Sequence, residues 1–293
     1  MTPLRQRMIE DMKIRNLSEN TQRAYTEQVA RFALHFRRSP LGLGPDDIRN
    51  YQIYLTTEKK LKPESIKTAT AALRFLYAVT LHKDWNLQAT LPLPKKAKSL
   101  PTVLSPEEVM QFLDCITSLK HRTILTTCYA AGLRISEAIS LKPAHIDSQR
   151  MAIRVEQGKG GKDRYVMLSP RLLEILRQWW RSARPNDWLF PGSTPDQHIT
   201  PDAIVKACRV YLKRSGLSKP VTPHSLRHAF AVHLLESGRD LRTIQLLMGH
   251  RSLSTTALYL RIAVSKVCST TSPLDLLPHP VPILPPPPEP TQS

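Results

Sequence analysis

The 293-residue chain reads as a mainly α-helical protein of two domains, the second carrying one small antiparallel sheet. Three observations predict this. Apolar residues recur at helical spacing behind proline-led start sequences, from Ser18 to Tyr77 and again from Ser105 onward. The period switches to strand-like alternation only at residues 151–156 (MAIRVE) and 164–168 (RYVML), with 158–163 (GKGGKD) joining them as a hairpin. Between the two helical stretches, residues 91–101 (LPLPKKAKSLP) mix proline and lysine without any period, as an interdomain linker does. At roughly 100–200 residues per domain, the length also suits two.

Each element has a local reason. Ser18 caps a helix whose stripe is Tyr25, Val29, Phe32 and Phe36. Pro45-Asp46-Asp47 starts a second, with Ile48, Tyr51 and Leu55 on one face. Pro63-Glu64 starts a third, with Ile66, Leu73, Leu76 and Tyr77. Residues 1–90 thus form a small helical bundle without a catalytic cluster. In the second domain, Ser105-Pro106-Glu107-Glu108 is a capping box ahead of Val109, Phe112, Leu113 and Ile116. A helix from His121 to Ala131 stops at Gly132. After the strands, helices resume at Ser169-Pro170, Thr200-Pro201, Thr222-Pro223 and Asp240, and Gly216, Gly238 and Gly249 close the last three. The expected domains are 1–90, a linker at 91–101, a catalytic domain at 102–267 and a proline-rich tail at 268–293. That tail holds nine of the 25 prolines and reads as extended or disordered.

Charge narrows the function. Against 42 Lys and Arg stand 24 Asp and Glu, a formal +18, which points to a polyanion, with nucleic acid the default. Residues 1–100 have 18 basic and 9 acidic side chains (+9), and residues 101–267 have 24 and 13 (+11). Both domains are therefore expected to be able to face the same polyanion, and the tail, whose charged side chains are Asp275 and Glu289, is expected to avoid it. No apolar run reaches the roughly 18 residues of a membrane span. The charged N-terminus lacks a signal core, so the expected location is cytoplasmic. Cys115, Cys128, Cys208 and Cys268 show no C-x-x-C spacing and read as buried free thiols.

The candidate chemistry lies in four short stretches. Arg134, in residues 130–137 (AAGLRISE), reads as half of a buried Arg–Glu pair with Glu137, as a surface arginine, or as a rigid phosphate grip. In residues 222–228 (TPHSLRH), His224, Arg227 and His228 share one face at a helix N-terminus, a good oxyanion seat. The two histidines have the spacing of a zinc pair but lack the glutamate of H-E-x-x-H, so zinc is disfavoured. In residues 246–261 (LLMGHRSLSTTALYLR), His250 follows a glycine stop. Tyr259 there reads by itself as core packing. Lys159 sits in the hairpin, in a GKGGK stretch that is not a phosphate loop: it is a solvated turn or a mobile lysine that reaches a phosphate. No carboxylate trio offers ligands for a two-metal site, and no nucleotide loop implies ATP. What remains can break a phosphodiester without a cofactor. Arginines hold the non-bridging oxygens, tyrosine attacks phosphorus, and Lys or His protonates the leaving oxygen.

With these residues assembled, the chain resembles the tyrosine recombinase (phage integrase) family, nearest in layout to its Xer-like and mobile-element members. The motifs run in order: A-A-G-L-R-I-S-E, G-K-G-G-K-D-R, H-S-L-R-H-A-F, L-L-M-G-H-R-S and T-T-A-L-Y, spanning about Ser18 to Ala263. The resemblance implies a SAM-like core-binding domain and a catalytic domain of the DNA breaking–rejoining fold, clamping double-stranded DNA from two sides. It implies Arg134 and Arg227 as phosphate clamps and Lys159 as acid toward the 5′ oxygen. His224 would help to move the tyrosine proton, His250 would orient the phosphate, Tyr259 would be the nucleophile, and Glu137 would support the site. His228, next to the motif, is read as structural. The resemblance further implies a homotetramer on paired half-sites, exchanging strands through a Holliday junction without metal, and a substrate of simple core sites. One departure concerns the segment after Tyr259. Many relatives dock a C-terminal helix there onto a neighbour, whereas here only about residues 260–267 can continue helically before Pro273, so the docking segment is expected to be either short and extended, through Leu274, Leu276 and Leu277, or missing. The competing readings are a non-catalytic DNA-binding protein and a relaxing enzyme of the type IB topoisomerase kind.

Overall fold

Thr2 accepts the Arg5 N–H in front of Pro3, and the chain enters its first helix at once: α1 (Pro3–Ile14). The computed structural model describes residues 2–86, 92–93, 102–156, 163–194 and 196–262. The hairpin tip with Lys159, most of the 91–101 linker and the tail lie outside the described residues. The chain divides into two compact units, Met1–Ser99 and Leu100–Ser293.

In the first unit α1 is followed by α2 (Glu19–Phe36), α3 (Pro45–Thr57) and α4 (Pro63–Arg74), whose last turns widen into a π-helix over Phe75–Thr80. Ser18 caps α2 as expected, and the Asp47 carboxylate accepts the Gly44 N–H ahead of α3. Phe32, Ile48, Tyr51, Leu55, Ile66, Leu73, Leu76 and Tyr77 are all buried. The core also takes Met8 and Met12 of α1, a helix whose only sequence signals are Thr2-Pro3 and two methionines four apart. Tyr77 donates its hydroxyl to the Pro40 carbonyl at 2.8 Å, so a buried polar group is matched.

The second unit contains α5 (Pro106–Asp114), α6 (Leu119–Ala130) and the short α7 (Ile135–Ile139). It continues with β1 (Ile146–Asp147), β2 (Ala152–Val155) and β3 (Arg164–Met167). Then come α8 (Pro170–Ala183), α9 (Pro201–Ser215), α10 (Pro223–Glu236), α11 (Leu241–Met248) and α12 (Leu253–Ala257), with a 3-10 turn at Leu258–Arg261. The Ser105–Glu108 capping box forms in both directions, at 3.2 and 2.8 Å. The sheet is antiparallel in the order β1-β2-β3, with Ile153 opposite Val166 and Arg154 opposite Tyr165. β1 was not foreseen: two residues are too few to show alternation. Cys128 and Cys208 are buried free thiols, and Cys115 is half-buried. Among the described residues, no helix is long and apolar enough to cross a membrane.

The turn that leads from α6 into α7 positions the functional residues. Gly132 takes φ +62° there, and a Cβ on it would sit 2.4 Å from Phe230 of α10. Both the left-handed backbone and the missing side chain are needed. Gly132→Ala is expected to cost about 2–3 kcal/mol, lowering Tm by roughly 4–12 °C in a thermal melt. An unchanged Tm would show that α6 and α10 can separate without cost.

Candidate active site

Glu137 is the carboxylate that organises this site, and α7 exists to present it. Its Oε2 accepts the Arg134 backbone N–H at 2.8 Å, closing the helix start, while its Oε1 accepts Arg134 Nη1 at 2.7 Å. Arg164 of β3 adds a two-pronged contact, Nη1 to Oε1 at 2.9 Å and Nη2 to Oε2 at 2.8 Å, and donates Nε to the Leu247 carbonyl at 3.2 Å. Arg227 of α10 donates Nη1 to the Gly132 carbonyl at 2.6 Å and to Glu137 Oε2 at 3.5 Å, and Nη2 to the Met248 carbonyl. Arg134 Nη2 reaches the Gly249 carbonyl at 3.3 Å. Gly249, at φ +60°, lets the Arg164 guanidinium pass where a Cβ would stand 3.0 Å from it.

The charge balance of this cluster is decisive. Arg227 is 1% exposed and Glu137 7% exposed. Burial alone would raise the Glu137 pKa, but the hydrogen bonds and charge of Arg164, then those of Arg134, pull it down to about 2. Burial, then the Arg134 charge, lower Arg227 to about 10, still fully charged at neutral pH. Three guanidiniums against one carboxylate leave about two positive charges half-desolvated, a strong demand for an anion.

Tyr259, in the 3-10 turn, is 1% exposed and packs with Phe230, Ala231, Ile244 and Met248. Its hydroxyl lies 2.8 Å from Nδ1 of His228. Burial pushes the phenol up to about 12, partly offset by the charges of Arg227 and Arg134. His228 falls to about 4, first by burial, then by the charges of His224 and Arg227. His250 follows Gly249, holds Thr256 Oγ1 at 2.9 Å through Nδ1, and lies parallel to the Tyr259 ring at 6.3 Å. It too falls to about 4, by burial and then Arg227 and Arg134. His224 is exposed, yet its inner side is desolvated enough to lower its pKa, aided by Arg227 and Arg134, and its ring meets His228 edge-on at 4.3 Å.

The sequence pattern of the Phage integrase family matches residues 102–266, and that of the Phage integrase N-terminal SAM-like domain matches residues 4–87. The chain belongs to the phage integrase family. An integrase/recombinase, y4qK, of Sinorhizobium fredii (strain NBRC 101917 / NGR234) is 65% identical across 98% of this chain and 93% of its own. The tyrosine recombinase XerD of Listeria innocua is 33% identical over 85% of this chain and 90% of its own. The family's enzymes cleave and rejoin DNA. A crystal structure of the XerH site-specific recombinase, bound to palindromic difH substrate after cleavage, has the same fold. Its TM-score is 0.69 at 24% identity, covering 88% of this chain and 80% of that one.

In this family member, six of the seven residues singled out from sequence meet in one place: Arg134, Glu137, His224, Arg227, His250 and Tyr259. Lys159 lies outside the described residues. Two further residues join them. Arg164 had appeared only as the end of the hairpin motif, and its role as a second brace on Glu137 needs a strand pairing to become visible. His228 reads from sequence as structural, whereas the fold places it in hydrogen-bond contact with the Tyr259 hydroxyl. Its signal was the four-residue spacing from His224, which puts both rings on one face of α10.

Proposed function

We propose that the chain is a site-specific DNA recombinase that cuts and rejoins double-stranded DNA through a covalent 3′-phosphotyrosine. The observation that carries this reading is the excess of buried guanidinium charge beside a buried tyrosine whose hydroxyl already has a hydrogen-bond partner. Arg134 and Arg227 seat the scissile phosphate and neutralise the charge that builds on it. His250 orients that phosphate, and His224 helps to move protons at its edge. Tyr259 attacks phosphorus, and the bond to the 5′ oxygen breaks. Lys159 protonates that oxygen. The bond energy is kept in the phosphotyrosine, so a 5′-hydroxyl of another strand can reverse the step. The single carboxylate in the cluster is saturated by arginines, which supports chemistry without a bound metal. Two strand exchanges of this kind, passing through a Holliday junction, call for four copies on paired half-sites. The protein then works in the cytoplasm, on the nucleoid when bound. The proposed division of labour is a core-binding domain at 1–90 and a catalytic domain at 102–267, both basic.

The test starts from duplexes selected out of a randomised pool by binding to the purified protein. Selected duplexes carrying a central nick, so that the short fragment escapes after cleavage, are expected to give a denaturant-stable protein–DNA adduct in EDTA. Firm binding with no adduct would favour the second reading, a non-catalytic DNA-binding protein. Salt supplies an independent measurement. A two-sided clamp with about six phosphate contacts should show a slope near −5 in log affinity against log salt. A flat response would sink the clamp.

A further inference from the structure

We propose that His228 is the base that takes the proton of the Tyr259 hydroxyl during cleavage and returns it during rejoining. The proposal rests on the recombinase reading above and adds a residue to its chemistry. The geometry comes first. Tyr259 Oη hydrogen-bonds His228 Nδ1 at 2.8 Å, inside the reach that proton transfer needs. The two rings lie 5.6 Å apart at 59°, so the contact is made edge to edge through the polar atoms. α10 holds the imidazole from one side, and the Leu258–Arg261 turn carries the tyrosine to it from the other.

The electrostatics set the direction of the bond. The groups around His228 are His224 and Arg227 on its own helix, His250 after α11, and Tyr259 itself. Burial lowers the His228 pKa most, and the charges of His224 and Arg227 add to it, so His228 is neutral at pH 7. A neutral imidazole has one acceptor nitrogen. With the proton of its ring on Nε2, His228 Nδ1 is that acceptor and the Tyr259 hydroxyl donates to it. In the DNA-free protein neither partner ionises, which keeps the nucleophile quiet. A phosphodiester bound by Arg134 and Arg227 brings a negative charge into this cationic pocket. That charge favours the imidazolium and so strengthens His228 as a base when the substrate is in place. The step balances. The O–H bond of Tyr259 breaks as an N–H bond forms on His228 Nδ1, the tyrosine oxygen bonds to phosphorus, and the P–O5′ bond breaks. The 5′ oxygen takes its proton from the general acid on the other side. Rejoining runs the same transfers in reverse.

The assignment is tested by single-turnover adduct formation on the selected nicked duplexes with His228→Gln and His228→Ala. Glutamine keeps a hydrogen-bond acceptor but accepts no proton at neutral pH. Both variants are expected to bind DNA as the parent does and to form adduct about 100-fold or more slowly, since base catalysis typically contributes that much. The parent's rate should fall on acidification as His228 protonates. The glutamine variant should lose that dependence and rise toward alkaline pH, as hydroxide replaces the base. A glutamine variant within about threefold of the parent would overturn the proposal and leave His228 a mere positioning residue. Nitrogen-15 spectra of the histidines give a second, variant-free readout. An unprotonated Nδ1 on His228 at pH 7, perturbed in Tyr259→Phe, is expected, whereas a protonated Nδ1 would overturn the proposal because it leaves the hydroxyl no acceptor. Absence of adduct from the unmodified protein would overturn the recombinase reading, and the base with it, and is told apart from slow adduct in the His228 variants alone.

Discussion

Tyr259→Phe is expected to bind the selected duplexes with undiminished affinity and to form no adduct, a loss of roughly 10³-fold or more in the cleavage step. The substitution removes one oxygen and keeps the ring that packs against Phe230, Ile244 and Met248, so the fold has little reason to change. What it leaves behind is His228 Nδ1 without its donor, a cost of about 1–3 kcal/mol if no water replaces the hydroxyl. Denaturing gels of the nicked-duplex reaction read the chemistry, and gel shifts at fixed salt read the binding. A residual adduct would move the nucleophile to another side chain, which peptide mapping of the adduct would identify. The same comparison separates an enzyme from a binding protein, because both predict the gel shift and only the enzyme predicts the adduct in the parent.

Removing the carboxylate of Glu137 is expected to have the largest effect on stability. Glu137→Ala leaves three guanidiniums facing one another with no counter-charge, and breaking a buried charge network in this way costs about 3–5 kcal/mol. Urea unfolding at pH 7 measures it, and a change below about 1 kcal/mol would mean that water or an anion takes the place of the carboxylate. Acid titration gives the same information from the other side. The Glu137 pKa lies at about 2 in the folded chain, beneath its ordinary 4.5. Its contribution is therefore fully present above about pH 4.5 and is lost as pH falls toward 2. That difference corresponds to about 3 kcal/mol. Glu137→Gln should flatten the acid limb of the stability curve. Inorganic phosphate should stabilise the parent by filling the pocket the arginines leave positive.

The bundle of residues 1–90 was legible because each of its helices from Ser18 onward announces itself with a cap or a proline and then a periodic apolar stripe. α1 was missed because its inward face is two methionines among charged residues, a pattern too sparse to stand out. In the second unit the helix starts at Pro106, Pro170, Pro201 and Pro223 fall where the sequence places them. The site was legible in a different way. Its residues are few and their order along the chain is distinctive, so Arg134, Glu137, His224, Arg227, His250 and Tyr259 were named before any geometry was known. Their partners were not: Arg164 lies 27 residues from Glu137, and His228 lies 31 from Tyr259.

By itself, then, the sequence determined the elements, the basic character of both halves and the cast of side chains able to act on a phosphate. These depend on local rules, namely capping, periodicity and charge, which act over a few residues. Only the tertiary structure decided that three arginines share one carboxylate and that the tyrosine is buried against His228 and not His224. Those pairings join α7, β3, α10 and the turn after α12 across the chain. Proton affinity is set by such close neighbours and by the exclusion of water, neither of which is written in any single stretch of sequence.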